Sequence, residues 1–378
     1  MRILFANWAL QTRAGTETYL ETVAPELIRM GHDVVAWSFE QGAAAERLEQ
    51  LGCATPHDLD EIDDVDVIHA QQASSALATR ARFPEAPMVY ACHSWALAID
   101  EPPPLAAPAA LLAFNDRVVA RLEASAISDD VPIHRLRQPV RTSAMEGHRI
   151  PIRDHLGSAV ALSRSFAERI PLLDAACRQV GANLRVHTDS ATLDDSESEI
   201  MSADVVFCTG RTALEAMALA RAAFVLDEVG CVGFITADRY AALESSGFDV
   251  ALGAPTTVES LVAALHEYDR ELGILGRELA VRHHSSQDHA AQLVAIYRSV
   301  LTDPPRSAGT REAIAELGAM EQRVFQLEQR LRQLEWSRAT IVRNAIDLVR
   351  ELERLHSSTS WRITRPLRAL RRRPDDHT

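Results

Sequence analysis

Arg211-Thr212-Ala213-Leu214-Glu215 opens a helical pattern just after the apolar run Val205-Val206-Phe207-Cys208, with Thr209-Gly210 breaking the run between them. Residues of these types at this spacing suit an anion. The first amides of a helix have no partner within it and lie at the positive end of its dipole, so a phosphate is favoured there. Arg211 and Thr212 mark that start, and Arg211 adds a planar fork of donors. Glu215, one turn on, can accept hydrogen bonds from the diol of a ribose. Two more arginines, Arg164 and Arg169, follow the run Ala159-Val160-Ala161-Leu162, and both can reach a diphosphate held at the same helix start. His93 follows a further run, Met88–Ala91, where it can act as a general base or orient a substrate hydroxyl. The same residues also fit plain structure: a strand–helix–strand unit, solvated arginines and a packed histidine.

The elements that must position these residues alternate regularly. Ile3–Ala6 reads as a strand and Asn7–Arg13 as a polar loop. A helix from Ala14-Gly15-Thr16-Glu17 to Met30 follows, with Thr16 as N-cap and Gly31 as its stop. Strands are predicted at His32–Ser38, Val65–His69, Met88–Ala91, Ala110–Phe114 and Val131–Val140, with helical patterns between them. Glu101–Pro108 is too proline-rich for a helix or a central strand. From Gly157 the alternation restarts, with strands at Ala159–Leu162, Leu184–His187, Val205–Cys208 and Ala223–Leu226, and a helix at Ser165–Val180. This pattern predicts α/β architecture, two Rossmann-like doubly wound domains with parallel sheets. Open sheets of that kind bind ligands at the carboxyl ends of their strands, where each candidate residue lies.

The chain has 378 residues, 47% hydrophobic and 24% charged, with a net charge of −14. That length allows two or three domains. An acidic body argues against broad nucleic-acid binding. All 39 basic residues other than histidine are arginine. Cys53, Cys92, Cys177, Cys208 and Cys231 are scattered with no CxxC pair, which points to reduced core residues. Met1–Ala6 is too short for a signal peptide's apolar core, and no run approaches the ~20 residues of a membrane span. The expected location is the cytoplasm. His283, His284 and His289 form a tempting metal set, but helical surroundings favour a surface cluster.

After a linker at 302–316, Met320, Leu327, Leu334, Ile341, Leu348 and Leu355 recur every seven residues. Leu317, Val324, Leu331, Ala345 and Leu352 supply a companion seam, interrupted by Arg338. This predicts a coiled coil over 317–356 and a homo-oligomer, about 58 Å long from Leu317 to Leu355 at roughly 1.5 Å per residue. The alternative is a helix folded back on its own domain. The tail, 357–378, interleaves Trp361, Ile363, Leu367 and Leu370 with six arginines. Such a segment suits an anionic membrane surface at 357–373, nucleic acid or an acidic partner protein, or a disordered solubilising tail.

Taken in order, these landmarks resemble the retaining, glycogen-synthase-like GT-B glycosyltransferases (the family 4/1-like group). Ala14-Gly15-Thr16-Glu17 is similar to that group's Gly-Gly-x-Glu loop, with the first Gly replaced. Gly31-His32-Asp33-Val34, Asp66–Ala70 and Cys92-His93-Ser94 match its strand entries and site histidine. Ser163-Arg164 through Arg169 resembles its phosphate clamp, and Leu214–Ala218 the helix whose Glu binds the donor ribose. The resemblance covers about residues 1–301. It implies an acceptor-side domain at 1–145, a donor domain at 146–301, and transfer of a hexose-like sugar from a nucleotide diphosphate sugar to a glycan or lipid-linked acceptor. By the same resemblance Gly15 and Thr16 approach the phosphate from the other domain, His93 orients donor or acceptor, and neither metal nor separate cofactor is needed. Ser-Trp-Arg-Ile-Thr-x-Pro-Leu-Arg tails like Ser360–Arg368 follow coiled coils in glycosyltransferases of surface-polysaccharide assembly. One departure stands out. The group has a second Glu eight residues before the ribose Glu, and here that position is Phe207. An inactive GT-B module used for binding or scaffolding, and another nucleotide-sugar enzyme such as an epimerase, are the competing expectations.

Overall fold

The apolar runs become the strands of two separate sheets in the computed structural model, which describes residues 1–125, 127, 131–142, 152–162, 169–187, 196–227, 230–250, 256–302, 311, 313–331 and 334. The first sheet holds β1 (Arg2–Leu10), β2 (Asp33–Gln41), β3 (Val67–Ala70), β4 (Met88–Cys92), β5 (Ala110–Ala113) and β6 (Ile133–Arg135). Its order is β2-β1-β3-β4-β5-β6 and every pairing is parallel. Between the strands run α1 (Gly15–Arg29), α2 (Ala43–Gln50), α3 (Ala73–Arg82) and α4 (Asp116–Glu123). Both faces of the sheet are covered, which is why its strands are apolar without alternation. Along β1, Ile3 and Phe5 enter one core with Leu20, Val23 and Leu27 of α1, while Leu4 and Ala6 enter the other with Ala76 and Leu77 of α3. Each fully buried Leu or Val of α1 stabilises the domain by about 2 kcal/mol.

The second sheet holds β7 (Ser158–Leu162), β8 (Asn183–His187), β9 (Val205–Cys208), β10 (Ala222–Leu226) and β11 (Cys231–Phe234), in the order β11-β10-β9-β7-β8. Only β11 runs antiparallel, at the edge. From β7 onward the helices in chain order are α5 (Ile170–Gln179), α6 (Ser196–Met201), α7 (Gly210–Ala218), α8 (Ala237–Ser246), α9 (Val258–Leu265), α10 (Glu271–His283) and α11 (Ser286–Val300). In each sheet one strand, β1 or β7, is flanked by successors going opposite ways, and ligands bind at such switch points.

Several expectations are corrected by packing. The N-cap of α1 is Ala14, with no side-chain cap, and Thr16 lies inside the helix. Of Val131–Val140 only Ile133–Arg135 is strand. Helix α11 falls inside the expected second domain, yet Leu293, Val294, Tyr297 and Val300 are buried in the first core beside α1. Ser286 Oγ also donates to Glu26 of α1 at 2.8 Å. The chain therefore returns to the first lobe: Val140 N donates to His284 O at 2.9 Å, so the outgoing and returning connectors run side by side.

The expected linker contains structure too. Residues 313–331 are helical, and Ile314 is buried with Leu317 packed against it in the first domain's other core. Residues up to Ala319 belong to this compact unit, and a second unit begins at Met320. In that second unit Met320, Val324, Leu327, Leu331 and Leu334 are all more than half exposed. The tail at 357–378, and the coil seam from Ile341 on, lie outside the described residues. No helix among the described residues is long and apolar enough to cross a membrane. All five cysteines are free, and all but Cys231 are buried.

Candidate functional site

Two helix starts, α1 after β1 and α7 after β9, face each other across the lobes, and Arg211 joins them. Its Nη2 donates to Thr18 O at 3.2 Å and Thr22 Oγ1 at 2.5 Å on α1, and its Nη1 to Pro139 O of the connector at 3.1 Å. The Nε lies 3.6 Å from Glu215 Oε1 in an ion pair one turn along α7. The side chain is 10% exposed. Burial pulls the guanidinium down to about 10, against the pull of Glu215, so it stays charged at neutral pH. Arg211 is thus a tie between lobes in this structure, not a fork open to solvent.

Glu215, 18% exposed, lines a cleft with Thr18, Glu21, Arg141, Glu197 and Arg211. Its wall is a mesh of ion pairs: Arg141 to Glu197 at 2.7 Å, Arg47 to Glu21 at 2.7 Å and Arg13 to Glu21 at 3.4 Å. The space left between them holds about one water molecule. Thr212, in the first turn of α7, is half-buried. The first amide of α7 is already engaged, since Gly210 N donates to Phe248 O at 3.0 Å. Gly210 has φ +53°, the left-handed region that glycine adopts without strain.

Across the cleft the start of α1 is open. Ala14 and Gly15 are exposed, and a Cβ on Gly15 would meet no atom within 4 Å. Thr16 Oγ1 donates to Glu17 at 2.9 Å. Burial raises the Glu17 carboxyl, although its own amide, Thr16 and the Ala14 amide oppose the shift. Arg169 is half-buried at the N-cap of α5. Arg164 lies outside the described residues. The structure therefore brings Arg211 and Glu215 of α7 together with α1, while Thr212 does not line the cleft and Arg169 sits at the start of a different helix.

His93 follows β4 and packs on Tyr19 and Phe114, with ring centroids 4.9 and 4.6 Å away. Its Nε2 is buried without a hydrogen-bond partner. Burial, then Arg211 and His289, pull its pKa down to about 3, so the ring is neutral near pH 7. A neutral imidazole here can orient a hydroxyl.

Two other histidines are structural. His289 Nδ1 donates to Arg137 O at 3.0 Å, which fixes the tautomer and leaves Nε2 to accept from Tyr19 OH at 3.0 Å. His284 repeats the arrangement, donating to Gln138 O at 2.8 Å and accepting from Tyr240 OH at 2.9 Å. Each lobe thereby contributes one tyrosine that staples the connector. These two histidines are buried, which corrects the surface cluster expected from sequence. No group of three or more His, Cys, Asp or Glu among the described residues is arranged for a metal ion.

Phe207 is fully buried in the second core. Its ring meets Phe224 edge-on at 5.2 Å, and Phe224 meets Phe234 at 4.9 Å.

No family model matches the chain, and no curated protein matches it in sequence. Solved structures do share its architecture. Alr3699/HepE from Anabaena, in complex with UDP and glucose, aligns over 79% of this chain and 100% of its own, with a TM-score of 0.55 at 14% identity. This chain has the GT-B fold. AviGT4, a glycosyltransferase involved in avilamycin A biosynthesis, aligns over 79% and 98% with a TM-score of 0.52 at 13% identity. A putative UDP-N-acetylglucosamine 2-epimerase from Listeria monocytogenes aligns over 81% and 98%, with a TM-score of 0.52 at 11% identity. At such identities the likeness is one of fold.

Sequence reasoning misses most of the GT-B cleft's wall. Arg13, Glu21, Arg141 and Glu197 come from four separate stretches with no common spacing, so only the folded chain assembles them. Trp95 was within reach, standing two residues past His93. Asp249, three residues past the end of α8, carries no local signal at all.

Proposed function

We propose that this chain transfers a sugar from a nucleoside diphosphate sugar to a glycan or lipid-linked acceptor, with retention of anomeric configuration. The observation that carries the reading is the crevice between the starts of α1 and α7, with Glu215 on its wall and Arg211 beside it. The likeness in fold to a glycosyltransferase and to a protein solved with UDP and glucose supports a nucleotide-sugar donor. In this reading Glu215 accepts from the ribose diol, and Arg164 and Arg169 stabilise charge developing on the leaving diphosphate. Gly15 and Thr16 approach that diphosphate from the first lobe, while His93, held neutral, orients a sugar hydroxyl. Arg211 and Thr212 serve at the start of α7, Arg211 chiefly by holding the lobes. The donor is a substrate, and no separate cofactor or metal enters.

The exposed apolar seam from Met320 to Leu334 supports assembly with a second copy of the chain. The arginine-rich tail fits docking at the inner face of a membrane, where surface polysaccharide is built.

A thermal-shift screen across nucleoside diphosphates and their sugars tests the function. At least one raises Tm, and Glu215→Ala removes most of the shift. No shift with any of them overturns the reading. An acceptor requirement for turnover separates it from epimerisation.

A further inference from the structure

Trp95 stands in the turn after β4 and is 43% exposed, although it lies at the ligand-binding edge of the first sheet. Arg117, in the first turn of α4, stacks on its ring with the guanidinium carbon 3.6 Å from the centroid. The indole lies close enough to the carboxylate of Asp249, a residue of the other lobe, to favour its charged form. Asp249 in turn lies against the start of α7, with Oδ1 3.7 Å from where a Cβ on Gly210 would sit. A large aromatic ring is thus covered at one face by a cation and neighboured by a carboxylate, with 43% of the residue still exposed. Ser94 Oγ fixes the turn by accepting from the amides of Ala96 and Leu97, each at 3.1 Å.

A ring held this rigidly loses little freedom when a ligand packs on it. Its open face suits a flat apolar surface, and the neighbouring carboxylate suits hydroxyl donors. Burial raises the Asp249 carboxyl, Arg117 opposes the shift, and Asp227, at the end of β10, adds to it as a second nearby carboxylate. Two carboxylates can accept from vicinal hydroxyls. The ligand class with one apolar face and a rim of hydroxyls is a pyranose.

We propose that Trp95 and Asp249 form a pyranose-binding platform that spans the two lobes beside the start of α7. It lies at the Gly210 end of that helix, and Glu215 lies one turn further in, so sugar and nucleoside are received on different parts of α7. The platform deepens the glycosyltransferase reading and rests on it for the part this sugar plays, acceptor glycan or transferred hexose.

Saturation-transfer NMR on the full-length chain, with methyl glycosides of glucose, galactose, mannose and N-acetylglucosamine, tests binding. Thermal shifts with UDP and UDP-glucose run alongside. For an acceptor subsite, a glycoside binds the native chain, Trp95→Ala weakens it about five- to tenfold, Trp95→Phe restores most of it, and UDP protection is unchanged. For the transferred hexose, UDP-glucose protects more than UDP, and Trp95→Ala removes that excess alone. The platform is overturned if Trp95→Ala leaves both signals at native strength, or weakens UDP as much as UDP-glucose, the mark of a nucleobase on the ring. It is also overturned if no glycoside binds and UDP-glucose protects no better than UDP. If glycosides bind through Trp95 while no nucleotide protects, the platform stands and the donor reading fails. Trp95 is exposed, so its variants keep the core intact, and far-UV circular dichroism checks this.

Discussion

Replacing Arg211 by methionine separates two roles that sequence alone merges. As a phosphate ligand, Arg211 would matter little to the empty protein. As the tie seen here, it would matter a great deal. Methionine keeps much of the side-chain volume but removes three hydrogen bonds, to Thr18 O, Thr22 Oγ1 and Pro139 O, and the ion pair with Glu215. Hydrogen bonds from a charged donor are worth ~1.5–3 kcal/mol each, less the cost of burying the guanidinium. The loss also strands Glu215, mostly buried, without its partner. Breaking a buried pair in this way costs ~3–5 kcal/mol, and that range is the expected destabilisation. Thr22→Val removes one acceptor and costs about 1–2 kcal/mol. Because the two side chains touch, the double variant falls short of the sum by about 1 kcal/mol. Guanidinium denaturation followed by circular dichroism and by fluorescence measures all three, with coincident transitions required before two-state values are used. A midpoint for Arg211→Met within ~0.5 kcal/mol of native refutes the tie. Loss of nucleotide protection alongside such an unchanged midpoint would return Arg211 to the phosphate.

The buried histidines give the fold an acid limit. Burial holds His289 at about 3 and His284 at about 4, below the ordinary 6.5, so the unfolded chain binds protons first and stability falls as pH drops below ~6.5. Over its full shift His289 alone accounts for up to about 5 kcal/mol of this loss, while Asp100, pushed up to about 7 by burial, works in the opposite sense. Tm measured from pH 7.5 to 4.5 should fall less steeply for His289→Gln, whose amide keeps one donor and one acceptor, and equal slopes would remove His289 from the account. The exposed seam predicts an oligomer by light scattering that Leu327→Glu with Leu334→Glu reduces to a monomer. A native chain that is already monomeric rules the coil out.

The fold was legible because both sheets are buried on two faces, so each strand is a short apolar run that stands out from its neighbours. The helix carrying Arg211 and Glu215 was legible for a related reason, since a glycine-broken strand followed by a helical pattern places a helix start at a sheet edge. What Arg211 touches was not. Thr18, Thr22 and Pro139 are distant in sequence, and nothing local says that a guanidinium at a helix start will turn across the cleft. Helix α11 escaped for the same reason: its apolar stripe fits either core, and only the crossing of the connectors sends it back to the first lobe. The histidines show the reverse error. His284 and His289 look like surface residues on a helical stretch until two carbonyls and two tyrosines close around them. Thr16 was a reasonable N-cap by residue type, but the chain turns two residues earlier, at Ala14.

Arg211 and Glu215 bind the cleft's chemistry to its geometry. With the lobes tied, the crevice has room for about a water, so on the proposed function a nucleotide enters only if α1 and α7 draw apart. Separation breaks the bonds from Arg211 to Thr18 and Thr22 and brings the guanidinium into reach of an anion at the start of α7. A diphosphate arriving there replaces two neutral acceptors with charged ones, which form the stronger hydrogen bonds. On the same proposal Glu215, released from its pair, then becomes available to a ribose. Opening of the lobes and binding of the donor thus draw on the same two side chains. In Thr22→Val the tie is weaker and Arg211 and Glu215 are intact, so this variant should bind nucleotide diphosphate more tightly than the native chain while melting at a lower temperature. Equal weakening of both would mean that the closed cleft, not the open one, receives the donor.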